Sequence, residues 1–300
     1  QLDIPQTALQ SYNQLAWFDQ YDDTVIIADT TNDNDDIFDG GGSISVWFYP
    51  IDLGETSYGR IVDKSNGTSG SNGFHLALTD ESGSASDIQF RRGHSGTDGK
   101  WVLGSRLITY GEWHHMVVVY DDDVVGNDPL MYLNGESIDI TSGGAITPVG
   151  DEASDASHAL TIGNRSGATD RTFAGCITEV SMWNKELSQT EVNELYNDGK
   201  ALDATTHSAS PATGTDYLKG YWRNNGLATW QDLTSNNNDG TPTNMTETLL
   251  LPAGVDASRD NQGFLMNRQK DTNSLNFTDS NGAAGITVAN DYIELPVSDS

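Results

Sequence analysis

Positive charge is what this 300-residue sequence has least of: 15 Lys and Arg stand against 44 Asp and Glu, a formal net charge of −29. Such a surface repels phosphate backbones and anionic headgroups, which argues against nucleic-acid and membrane-surface partners and makes cations the natural counter-ligands. Cysteine is nearly absent as well. Cys176 alone excludes an intramolecular disulfide and any multi-cysteine zinc site. Long apolar runs are missing: "VIIA" from Val25 and "MVVVY" from Met116 are strand length, far below the roughly 18 to 20 residues that cross a bilayer. Opening on Gln1 without a basic-then-apolar leader, the sequence is expected to be a processed or excised piece. Helical periodicity is scarce too.

What remains is a pattern of short alternating strands. "SISVWFYP" sets Ile44, Val46 and Phe48 on one face and Ser43, Ser45, Trp47 and Tyr49 on the other, and Pro50 ends it. "GFHLALTD", "DIQFRRG", "EWHHMVVVYDD", "LMYLNGESIDI", "ALTIGN" and "FAGCITEVSMWN" repeat the habit between clusters of Gly, Asn, Asp and Ser, the spacing of an antiparallel sandwich. Asn134-Gly135 between two apolar runs predicts a tight hairpin. One helix is predicted in "KELSQTEVNELYNDGK", with Ser188 and Glu191 as a capping box, Val192, Leu195 and Tyr196 as its apolar stripe, and Gly199 at its end.

The ordered series "SISVWFYP", "GEWHHMVVVYD", "MYLNGESI", "LTIGN" and "FAGCITEVSMWNKELSQTEVNELYNDG" resembles the laminin-G-like branch of the concanavalin A-like jelly rolls over residues 15–200. The resemblance implies an all-β, two-sheet antiparallel jelly roll with one short helix and a β-rich C-terminal extension. Residues 1–14 are expected to form an N-terminal arm, and 201–215, rich in Ala, Thr, Ser, Pro and Gly, a linker. Residues 216–300 are similar to the lead-in of another such unit. They either belong to a tandem array or supply strands to the first sandwich or to a neighbouring subunit. Thr178 stands where this family commonly carries Asp, which puts inherited metal ligation at that position in doubt.

Catalysis by this fold uses paired carboxylates on one strand face, and no Glu-x-Asp-x-Glu strand occurs. Glu179 is alone on its strand, and His114 and His115 point to opposite faces and cannot chelate one metal together, with at most one facing the core. Cys176 reads as a small buried hydrophobe. Calcium suits the acidic loops better: of the acids in "DQYDD" (Asp19, Asp22, Asp23), Asp22 and Asp23 are the preferred pair, and Asp121 and Asp122 in "YDDDVVGND" the next. For a glycan or protein contact the candidates are Trp101, Trp222 and Trp230, with Trp101 expected at the surface, while Trp47 and Trp113 are expected to fill the core. Arg91 and Arg92 make a local positive spot beside the "RRGHSGTDGK" turn, for a ligand or for an intersubunit ion pair.

The expectation is a non-enzymatic surface binding or assembly protein, a virion structural or adhesion component outside the cell. Its partners would be further copies of the chain, other surface proteins or a glycan. The alternative is a secreted, calcium-supported carbohydrate-binding module or glycoside hydrolase accessory domain.

Overall fold

The computed structural model describes residues 14–27, 32–67, 72–140, 143–246, 248–250, 287–289 and 292–294. In chain order the first strands are β1 (Gln14–Ala16), β2 (Phe18–Asp19), β3 (Thr24–Ile27), β4 (Gly42–Pro50), β5 (Arg60–Ser65), β6 (Gly73–Ser82), β7 (Ala85–Arg92) and β8 (Gly99–Thr109). They are followed by β9 (His114–Tyr120), β10 (Leu130–Leu133), β11 (Glu136–Ile138), β12 (Ala145–Ile146), β13 (Leu160–Ile162) and β14 (Ala174–Trp183). Helix α1 (Gln189–Tyr196) precedes β15 (Leu218–Trp222), β16 (Gly240–Thr243) and β17 (Thr248–Leu250).

Two antiparallel sheets face each other, the sandwich that the alternation predicts. One runs β11-β10-β9-β4-β14-β15, with β2 also on β14; the other runs β12-β8-β7-β6-β5-β13-β3-β16. Ile44, Val46 and Phe48 of β4 enter the core between them, with Phe74, Leu76, Phe90 and Trp101 from the opposite sheet. Phe38 meets Phe74, Phe90 and Tyr120 edge-on at centroid distances of 5.2, 5.5 and 5.9 Å, each pair worth about 0.5–1.5 kcal/mol beyond its buried area. Asn134 and Gly135, with φ of 52° and 82°, make the predicted hairpin turn.

The first sheet is covered on its outer face as well. The Ser188–Glu191 capping box starts α1, whose Val192 and Leu195 pack with Val117, Val119, Trp183 and Tyr221. Asn197 in the left-handed region (φ 48°) closes the helix two residues before the expected Gly199, since Asn also tolerates that conformation. Trp47 is therefore buried on the outer face, clustered with His115 (4.7 Å) and Tyr196 (5.6 Å), rather than in the core between the sheets. Trp113, expected in the core, is half-buried beside Tyr49. The same cover explains why both His114 and His115 are buried: His114 packs on Phe48 at the core side and His115 lies under the helix layer. Cys176 is buried as expected, its thiol donating to the Ala16 carbonyl at 3.4 Å.

Both sheets recruit residues beyond 215. β15 extends the first sheet along β14, and β16 extends the second along β3. β17 pairs with β1. The elements β1–β17 lie in a compact unit spanning Gln1–Asn267; a second unit, Arg268–Ser300, contains the short hairpin β18 (Thr287–Ala289) and β19 (Tyr292–Glu294). Much of the segment 216–300 read as the lead-in of another unit falls outside the described residues. Among the described residues no helix is long and apolar enough to cross a membrane.

Candidate functional site

The second sheet carries its neighbours in continuous rows. Across one row lie Thr161, Asp63, His75, Arg91, Lys100 and Ile146, each opposite the next on adjacent strands. Because Phe90, Arg92 and Trp101 alternate with them and point inward, this row lies on the outer face. Beyond the β7 end of the row, the turn 93–98 is zipped to the segment 149–153. Gly96 and Thr97 donate to the Val149 carbonyl at 3.0 and 2.9 Å, Ser95 donates to Asp151 at 2.8 Å, and Ala153 donates to Gly93 at 3.0 Å. Gly150 (φ 88°) makes the bend that brings this segment alongside, and a Cβ there would sit 2.4 Å from the Ser95 hydroxyl.

These elements enclose an open cleft of about 750 Å³. Arg91 and Ile146 come from the sheet, His94, Ser95, Thr97 and Asp98 from the turn, and Asn72 and Ala153 from the flanking loops. Its size falls within the usual range for small-molecule sites. His94 is buried, and burial holds its ring below the ordinary histidine range. Its Nδ1 lies 3.3 Å from the Arg92 carbonyl and must carry the proton. The neutral ring therefore presents Nε2 as an acceptor, and that buried atom has no partner among the described residues. Asp98 accepts from the His94 backbone N–H at 3.3 Å. His94 Nε2 and the Asp98 carboxylate thus place two acceptors along one wall, a pattern that suits hydroxyl donors.

Arg92, expected at the contact surface, is instead fully buried behind this wall. Its Nε is 2.5 Å from Asp122, Nη1 is 3.8 Å from Asp155, and Nη1 also donates to the Ala153 carbonyl at 3.0 Å. Lys64 joins from β5, 2.7 Å from Asp35 and 3.5 Å from Asp155. Burial pushes Asp155 up to about 6 against the pull of Lys64. This network fixes the 153–155 segment and hence one wall of the cleft, so Arg92 is a positioning residue.

The tryptophans are also corrected. Trp101, Trp222 and Trp230 are fully buried, each indole N–H held by an internal acceptor: Asp128 at 2.7 Å, Asn238 at 2.8 Å and Gly226 at 3.0 Å. Two of them follow a Gly-x-Trp pattern. A Cβ on Gly99 or Gly220 would lie 2.3 or 2.2 Å from the ring two residues on, so the ring lies across the glycine on the core side.

Of the metal candidates, the structure brings Asp22 and Asp23 together with Asp19, with one carboxylate oxygen of each within 4.8 Å of the others. The turn is braced by Asp23 accepting from the Asp19 N–H and Asp19 from the Tyr21 N–H, both at 2.9 Å. Three hard oxygens in a tight turn are a donor set that fits calcium. Asp121 and Asp122 do not form such a cluster: Asp122 is committed to Arg92, and Asp121 accepts from the Asp123 N–H at 3.1 Å.

Glu179 occupies a β-bulge at φ 50°, accepting from the Tyr221 hydroxyl, with Arg223 Nε at 3.4 Å. It borders an internal cavity of about 10 Å³ with Ser45, Trp47 and Tyr221, room for one water and closed to a saccharide. Burial pushes its carboxyl up to about 7.

A family model described as the concanavalin A-like lectin/glucanases superfamily matches residues 19–193. Among solved structures, a proposed carbohydrate binding protein from Bacteroides ovatus aligns with a TM-score of 0.54 and 16% identity, covering 83% of this chain and 62% of that one. The chain thus spans less than two thirds of that protein. A SAP-like pentraxin from Limulus polyphemus aligns at TM-score 0.41, 12% identity, 72% of this chain and 94% of that one. The CBM40 of a Ruminococcus gnavus IT-sialidase aligns at 0.41, 13%, 61% and 97%. No curated protein matches in sequence. At these identities the structural likenesses describe the fold.

Proposed function

The chain belongs to the concanavalin A-like lectin/glucanases superfamily, and from that premise we propose that it is a carbohydrate-binding module whose ligand sits in the cleft between the 93–98 turn and the 149–153 segment. The observation that carries this is the buried His94 Nε2, an acceptor without a partner among the described residues, in a polar cleft of about 750 Å³. A sugar hydroxyl satisfies it. Binding rather than turnover is the activity proposed, since Glu179, the one strand carboxylate considered for hydrolysis, is closed off from any saccharide. Display on an extracellular or virion exterior suits the charge of −29, whose self-repulsion salt screens over about 8 Å.

A glycan microarray probed with the wild type and with Thr97→Trp tests the assignment. Thr97 is exposed at the cleft, so the indole fills the space without disturbing the core. Wild type is expected to bind a restricted glycan set, and the variant to lose it while melting at the same temperature. His94→Ala is expected to weaken binding about three- to tenfold, the worth of one hydrogen bond. Unchanged binding by Thr97→Trp overturns the assignment.

We propose in addition that Asp19, Asp22 and Asp23 hold a structural calcium ion that ties the β2–β3 turn to the sandwich. Calcium at a hundredfold excess over its Kd is expected to add about 2.7 kcal/mol to stability, read as a rise in Tm that chelator reverses. Asp22→Asn is expected to abolish the rise, and a wild-type Tm indifferent to calcium contradicts the site.

A further inference from the structure

We propose that Lys64 and Asp35 condense to an internal amide, a covalent cross-link between β5 and the loop that precedes β4, with Asp155 carrying a proton between them. Lys64 is the one lysine fully buried among the described residues. A lysine is almost never fully buried without partners, and three oxygens converge on this one: Asp35 Oδ1 at 2.7 Å, the His158 carbonyl at 2.8 Å and Asp155 Oδ1 at 3.5 Å. Lys64 shares its face of β5 with the core residue Val62, so its side chain runs inward. Directly across on β6 stands Phe74, whose ring meets Phe38. Amine and carboxylate are thus held in contact beside an apolar wall. Groups so oriented react as if present at about 10⁵–10⁸ M. The product also replaces two charges that are costly to keep out of water with one neutral group.

The two acids play different parts. Asp35 is the nearer to Nζ, and 13% of its side chain remains exposed, which gives a departing water its exit. Asp155 is fully buried and fixed in place: its Oδ1 accepts from the Asp36 N–H at 3.0 Å, and its own N–H donates to Asp36 at 2.8 Å. Burial pushes its carboxyl up to about 6, so it takes a proton from the ammonium more readily than an exposed carboxylate does. In the step, Nζ bonds to Asp35 Cγ and one Cγ–Oδ bond breaks. The ammonium gives up two protons, one directly and one through Asp155, and the departing oxygen leaves with both as water. Nothing is oxidised or reduced, and Asp155 ends as it began. The hydrogen left on the amide nitrogen still faces the His158 carbonyl.

The test is the mass of the full chain, held folded overnight and then denatured, followed by digestion with trypsin. Wild type is expected to be lighter than its sequence by one water. Its digest is expected to join residues 1–60 to 61–91 in one fragment, since Arg60 is the first tryptic site and an acylated Lys64 is not cut. Lys64→Met and Asp35→Ala are each expected to keep that water and give separate fragments. Asp155→Asn is expected to slow the loss at least tenfold, and an unslowed loss overturns the part given to Asp155. If that variant does not fold, the wild-type digest decides alone. A water lost elsewhere, as a succinimide, leaves the two fragments separate, and a link from Lys64 to the fragment 107–165 puts the bond on Asp155. Either result, or a wild type at its full sequence mass, overturns the proposal.

Discussion

Replacing Arg92 by Met is expected to lower the stability of the protein by about 3–5 kcal/mol, the usual consequence of leaving a buried charge without its partner. The guanidinium is fully buried, and its loss strands Asp122 and weakens the hold on Asp155 and on the Ala153 carbonyl. The melting temperature is expected to fall by on the order of 10 °C, at 2–4 °C per kcal/mol for a domain somewhat smaller than this. Burial already raises the Asp122 carboxyl against the pull of Arg92. Without Arg92 it takes up a proton, so the loss is greatest at high pH. The double variant Arg92→Met, Asp122→Leu is expected to recover much of it, because an apolar pair can replace a buried ion pair at little cost. Calorimetry decides: a single-variant loss under 1 kcal/mol contradicts the role given to this network.

Glu179 is expected to make the protein less stable as the pH rises. Its folded pKa of about 7 lies above the ordinary 4.5 because burial outweighs Arg223 and the Tyr221 hydroxyl. The folded state therefore holds this proton more tightly than the unfolded chain. The resulting stabilisation is full below about pH 4.5 and disappears as the pH rises through about 7, a change on the order of 3 kcal/mol. Glu179→Gln keeps the shape and carries no titrating group. Denaturant unfolding at pH 5 and pH 8 is expected to show the two proteins close together at pH 5 and the variant equal or superior at pH 8. A wild type that loses no more than the variant between those two values contradicts the buried, proton-holding carboxyl.

Much of the fold is legible in the sequence because one physical rule, alternation about a pleat, operates within each strand. β4 displays it, as do the Asn134-Gly135 turn and the Ser188–Glu191 cap, whose determinants lie within a few residues of one another. The acidic turn is legible for the same reason: Asp19, Asp22 and Asp23 are neighbours in the chain before they are neighbours in space. Alternation cannot say how many layers cover a sheet. Trp47 reads as a core residue and at most one of His114 and His115 as facing the core, yet α1 buries the outer face too. Nor does aromatic character say which way a ring turns. Gly99 and Gly220 were the available signal for Trp101 and Trp222, since a glycine two residues before a tryptophan leaves room for the ring on the core side.

The cleft is the least legible part. Its walls come from Asn72, from 91–98 and from 146–153, three stretches of chain joined only by strand order and by backbone pairing of two loops. The basic spot at Arg91 and Arg92 does mark the place, and the structure divides its members by parity: Arg91 turns outward to line the cleft, Arg92 inward to Asp122. One step along a strand separates a cleft-lining residue from a positioning residue.

Hydrogen exchange with and without the tightest glycan from the array tests the location of the glycan site most directly. Protection confined to backbone amides of residues 93–98 and 149–153, absent in Thr97→Trp, is the predicted result. Protection centred instead on the Asp19–Asp23 turn, or on α1 over the first sheet, with the cleft segments unchanged, would contradict it.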